Sequence, residues 1–151
     1  MKFLSTIVVA ALIATGALTI GYVNEGQAQD AAAAVKERSA LMKGMGGAAG
    51  RINKADDAKA TVDDAKLIQA NLQKLGGLFP AGSMTPDSRA KAEIWSMSDD
   101  FKAKLSAAQM HAASAVASSE KGDLDGTKGH VKNVVAACNV CHDVYRGPAK
   151  Q

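Results

Sequence analysis

Apolar positions recur along most of this chain at alternating steps of three and four, the spacing that lines one face of a helix. The first such stretch runs from about Asp30 to Lys54, with Val35, Arg38, Met42, Met45, Ala49 and Ile52 on its stripe. The second, about Thr61 to Leu78, carries Ala65, Ile68, Leu72, Leu75 and Phe79, and Thr61 with Asp64 resembles an N-terminal capping box. A third follows Pro86 and reaches about Lys121, through Ile94, Phe101, Leu105, Ala108, Ala112 and Val116. The fourth spans about Asp123 to Tyr145, with Leu124, Val131, Val134, Cys138, Cys141 and Tyr145 inward, and Gly147-Pro148 is expected to stop it. Strand-like alternation is absent. Four amphipathic helices joined mostly by short links predict an all-α fold, an up-down-up-down antiparallel four-helix bundle.

Composition sharpens this picture. Apolar residues make up 47% of the 151 residues, yet aromatics only 4%. Much of the apolar content is alanine, which loses no side-chain entropy in a helix. The glycines at 44, 46, 47 and 50 each cost helix stability, about 1 kcal/mol relative to Ala, which suggests that something bulky approaches the first helix.

The N-terminus reads as a targeting segment. Lys2 precedes an apolar or small run from Phe3 to Ile20, and Gly26-Gln27-Ala28 offers small residues for cleavage. Residues 1–28 are expected to be a signal peptide, and an uncleaved membrane anchor is the competing reading. No second apolar stretch of that length follows, so no membrane contact is expected of residues 29–151 unless the N-terminal segment is retained. The segment contains Lys2 and Glu25, so the formal charge of +3 survives its removal. That surplus is spread out, with no basic patch interleaved with aromatics, and nucleic-acid binding is not expected.

Cys138-Asn139-Val140-Cys141-His142 carries the chemistry. C-x-x-C-H is the attachment pattern of c-type haem. Two thiols three residues apart lie on one helical face, where each can add to a haem vinyl group. The adjacent His142 can then present an imidazole nitrogen to the iron. Covalent haem attachment of this type takes place outside the cytoplasm, so the motif and the export signal support each other. A thioredoxin-type site would need a strand before the motif, and a zinc site would need a fourth ligand from His111 or His130. A plain disulfide would explain neither His142 nor the inward placement of both sulfurs.

The run Cys138-Asn139-Val140-Cys141-His142-Asp143-Val144-Tyr145-Arg146 resembles the class II c-type cytochromes, the cytochrome c-prime family, in its C-x-x-C-H-x-x-Tyr-Arg pattern near the C-terminus. Arg38 with Met42-Lys43, and Ile94-Trp95 with Phe101, fit the same family. The resemblance implies a four-helix bundle around one haem c, bound at Cys138 and Cys141 and ligated by His142. It also implies that Arg38 faces a haem propionate. Met42 stands where low-spin relatives place a sixth iron ligand, and Met42-Lys43-Gly44-x-Gly46 looks more like that group. High-spin relatives leave that position open. The expected function is therefore a periplasmic electron carrier serving redox partner proteins. The alternative is a high-spin protein binding nitric oxide or carbon monoxide. No general base or nucleophile pair stands out, so an enzyme is not expected. Relatives often form dimers through their first two helices, so a homodimer is a further expectation.

Overall fold

The computed structural model describes the backbone of residues 25–149 and side chains from Asp30 onward. Residues 1–24 of the expected signal peptide lie outside the described residues, and its last four belong to the first helix by backbone only. The helices are α1 (Glu25–Lys54), α2 (Val62–Leu75), α3 (Glu93–Ser96), α4 (Ser98–Glu120) and α5 (Leu124–Tyr145). Among the described residues the sole strand-like feature is an isolated antiparallel bridge between Ala90 and Arg146. No described helix is long and apolar enough to cross a membrane.

The four long helices pack in a ring: α1 on α2, α2 on α4, α4 on α5, with α5 closing more lightly on α1. This is the expected four-helix bundle. Its stripes are largely those read from the periodicity: Ile52, Ala65, Ile68, Leu72, Ala108, Ala112, Val131 and Val134 are all buried. In α1, Ala48 is fully buried whereas Ala49 is only partly so, a displacement of one position from the predicted stripe. Buried alanines at 48, 65, 108, 112 and 115 leave room for close helix approach. The main cluster, from Met45 to Val134, is separate from a smaller one built on Ile94, Phe101 and Tyr145.

Two local expectations are corrected. Thr61 does not cap α2: its hydroxyl donates back to Ala58 O at 2.6 Å, and Asp64 pairs with Arg51 instead. The third amphipathic stretch is not one helix, because Met97 (φ −120°, ψ 45°) breaks it into α3 and α4. On either side of that break the chain is drawn to its neighbours: Trp95 Nε1 donates to Phe79 O at 3.1 Å, and Tyr145 bonds Asp100 in the first turn of α4. α5 ends at Tyr145, just before Gly147-Pro148 as expected, and it does so without a left-handed residue, since only Gly82 and Gly122 have positive φ among the described residues.

The start of α5 shows how tightly a local sequence can be specified. Asp123 caps it, accepting from Gly126 N at 2.8 Å. A Cβ added at Gly126 would lie 2.0 Å from Asp123 Oδ2, so any side chain there expels the cap. Losing an aspartate cap costs about 1 kcal/mol, whereas Gly→Ala inside a helix gains about the same. A double-mutant cycle of Gly126→Ala with Asp123→Ala should therefore show a coupling of about 1 kcal/mol in chemical denaturation. Additive effects would mean that the steric reading is wrong.

Candidate functional site

Beside Phe79, which packs against both apolar clusters, a cavity of about 330 Å³ lies at the end of the bundle that holds the N-terminal half of α1 and the last turns of α5. α1 contributes Val35, Arg38, Ser39 and Met42; the end of α2 contributes Leu75 and Phe79. Asp87 to Ala90 of the long connector, Ile94 of α3, and Phe101 and Leu105 of α4 close further sides. α5 contributes Cys141, His142 and Tyr145, followed by Arg146.

The structure thus brings together Arg38, Met42, Cys141 and His142, four of the five residues singled out in the sequence. Cys138, the fifth, lies one turn below Cys141, half-buried and packed against the main cluster rather than in the cavity wall. Met45 is buried within that cluster, which leaves Met42 as the α1 methionine facing the cavity. His111 and His130 are not part of the wall, and Trp95 packs on the small cluster as a core residue.

Burial sets the chemistry of these donors. Both cysteines are free thiols. Desolvation pushes the Cys138 thiol up, and it pushes Cys141 up to about 11 with help from neighbouring Cys138. The His142 imidazole is pushed down by burial and then by the positive charges of Arg146 and Arg89. A neutral imidazole keeps a nitrogen lone pair free to bind a metal.

Arg38 is 6% exposed, an unusual place for a cation. Its Nη1 donates to Leu78 O at 2.9 Å and Ser83 Oγ at 3.1 Å. Its Nη2 donates to Ser83 O at 3.3 Å and Ser88 Oγ at 2.9 Å. The guanidinium also lies 4.5 Å from the centre of the Phe79 ring, within cation–π range. All four hydrogen bonds go to neutral oxygens, and burial lowers its pKa from the usual value. Arg38 is therefore not a surface arginine reaching past the core to solvent.

An aromatic chain crosses the cavity floor. Phe79 meets Phe101 edge-on at 4.9 Å, and Phe101 meets Tyr145 edge-on at 5.3 Å. The Tyr145 hydroxyl donates to Asp100, which also accepts from Lys104 at 2.7 and 2.8 Å. The phenol is pushed up to about 12 by burial and by that carboxylate.

Residues 33–146 match the family described as Cytochrome C'. The chain belongs to this family. Cytochrome c-556 of Agrobacterium fabrum is 35% identical over 139 residues, covering 87% of this chain and 92% of the relative. Cytochrome c' of Alcaligenes xylosoxydans xylosoxydans is 34% identical over 118 residues, covering 75% of this chain and 92% of the relative. Among solved structures, cytochrome c prime from Shewanella frigidimarina superposes with a TM-score of 0.71 at 28% identity, covering 78% of this chain and 97% of that one. A nitric oxide complex of a variant cytochrome c prime from Alcaligenes xylosoxidans gives 0.69 at 29% identity, with 76% and 94% coverage. The cofactor of cytochromes c' is a single covalently attached haem c.

The donor set fits that group. It offers two free thiols one turn apart, an uncharged imidazole, a thioether on the α1 wall, apolar and aromatic walls, and a buried cation whose partners are all neutral. Sequence reasoning missed the connector residues Ser83, Asp87, Ser88, Arg89 and Ala90. They have no periodicity, and two serines near an arginine in a polar loop carry no distinguishing signal.

The Asp100 carboxyl is held below its usual range, first by the Lys104 bond and then by the Tyr145 phenol. A depressed carboxylate contributes stability above its unfolded pKa, and that stability is lost as pH falls through the folded value. Tyr145→Phe should move Asp100 back toward the ordinary value without reaching it, because Lys104 remains. Carbon-13 NMR titration of the carboxyl measures this; a titration unchanged from the parent would assign the whole depression to Lys104.

Proposed function

We propose that this cytochrome c' family member is an exported electron carrier whose haem is bound through Cys138 and Cys141, ligated by His142 and Met42, and faced by Arg38. The observation that carries the reading is the shared cavity wall: Met42 on α1 and His142 on α5 both face it. When bound, the haem supplies an iron centre that gains and loses one electron.

The chain's own residues govern how that happens. Cys138 and Cys141 fix the group on one face of α5 by thioether bonds. Leu75, Phe79, Phe101 and Leu105 exclude water and hold the walls. Thioether sulfur is a weak ligand that prefers ferrous iron, so Met42 raises the reduction potential and depends on packing to stay in place. His142 is kept neutral by burial, ready to donate. Arg38 offers a buried positive charge to a propionate. Residues 1–28 direct the chain to the periplasm and are removed there. Its partners are redox proteins, and the chain pairs as a homodimer.

A second reading, a gas-binding protein with an open sixth position, is favoured by the nitric oxide complex of the Alcaligenes xylosoxidans relative. The two readings differ in one side chain. If Met42 ligates, ferric protein is low-spin with a weak near-infrared sulfur–iron band. Met42→Ala then removes that band, lowers the potential and opens the iron to carbon monoxide. A parent protein that is already high-spin, or an unchanged Met42→Ala spectrum, makes Met42 a wall residue and gas binding the function.

Attachment is tested separately. Acid–acetone extraction should leave the pigment on the polypeptide, and Cys138→Ala with Cys141→Ala should abolish stable holoprotein. Pigment that separates from the parent chain would refute covalent binding.

A further inference from the structure

The carbonyl end of a helix leaves its last four C=O groups without intrahelical donors, and a left-handed residue commonly closes it. α5 has no such closure. Arg146, the first residue beyond it, is extended (φ −114°, ψ 124°). Lys91, in the connector between α2 and α3, supplies two of the missing donors. Lys91 N donates to Tyr145 O at 3.0 Å, and Lys91 Nζ donates to Val144 O at 2.8 Å. Two residues past the helix end, Arg89 Nε and Nη2 both donate to Gly147 O, at 3.0 and 2.7 Å. Gly147 N returns a bond to Arg89 O at 2.7 Å.

His142 stands in the turn that this clasp secures, and its own carbonyl accepts from Arg146 N at 3.0 Å. Helix ends fray unless something outside them supplies partners. A frayed last turn would swing the imidazole away from the cavity that Arg89 and His142 share. We propose that Arg89 and Lys91 are positioning residues for His142: by clasping the last carbonyls of α5 (Lys91) and the chain just beyond them (Arg89), they set the direction in which the imidazole enters the cavity. The proposal rests on the reading of His142 as the iron ligand.

The test uses the haem-loaded protein and four variants: Arg89→Ala, Lys91→Met, Arg89→Lys and His142→Ala. Amide hydrogen exchange reads the helix end, and low-temperature electron paramagnetic resonance of the ferric form reads the imidazole. Arg89→Ala and Lys91→Met should each speed exchange at Val144, Tyr145 and Arg146 about tenfold, with the centre of α4 unchanged. Both should also split or broaden the single set of g values of the parent, because the imidazole then adopts more than one orientation. Arg89→Lys, which keeps one donor for Gly147 O, should restore the parent spectrum. Faster exchange with an unchanged resonance spectrum would overturn the proposal, since the clasp would then hold the helix without orienting the ring. Unchanged exchange would overturn it at an earlier step. A His142→Ala spectrum identical to the parent would remove the ligand reading beneath it, a failure distinct from the other two.

Discussion

Two apolar clusters, joined through Phe79, govern the open end of this bundle. The larger, built from alanine and aliphatic side chains, lets α1, α2, α4 and α5 approach closely. The smaller gathers Ile94 with the Phe101 and Tyr145 rings. Interiors are otherwise packed as densely as organic crystals, so an apolar gap forfeits contacts along its whole lining. A rigid planar group attached to α5 would restore them. The same gap explains why large aromatics, scarce in the chain as a whole, concentrate at this end.

The connector between α2 and α3 is as much a part of the site as the helices are. Arg38 reaches from α1 into it, bonding Leu78, Ser83 and Ser88. A cation taken out of water costs several kcal/mol unless hydrogen bonds and nearby charge offset it, and here four neutral oxygens and the Phe79 ring do so. At its far end the connector supplies Arg89 and Lys91 to α5. One irregular segment therefore ties the two helices that bear Met42 and His142, although neither residue lies in it.

How much of this was legible in the sequence follows from which forces leave a periodic trace. The burial of Ile52, Ile68, Leu72 and Val134 follows from a 3.6-residue period, and the reactive cluster on α5 follows from C-x-x-C-H spacing. That Arg38 and Met42 meet Cys141 and His142 could be expected only through the bundle geometry that the family resemblance implied. Local capping was less legible. Thr61 and Asp64 have the right spacing for a capping box, but Asp64 finds Arg51, a longer-range partner that no local pattern encodes. The break at Met97 is also tertiary in origin, since Ile94 and Phe101 keep helical spacing across it. Gly147-Pro148 marks the end of α5 correctly in position, yet the closure comes from residues more than fifty positions away.

Water exclusion is the common cause behind the state of every donor in the cavity, and it acts in opposite directions on acids and bases. It raises the thiols of Cys138 and Cys141 and lowers the imidazole of His142, so all three rest uncharged. Arg38 is the exception, because a guanidinium does not give up its proton in proteins. It leaves a positive charge in a low-dielectric wall where electrostatic effects are stronger than in water. That charge would disfavour the more positive, ferric state of a nearby iron, the same direction in which a thioether ligand would act. An anionic propionate bound at Arg38 would cancel the effect in proportion to how closely it pairs. The Arg38 charge would therefore bear on the reduction potential of a bound haem only as far as a propionate leaves it unpaired.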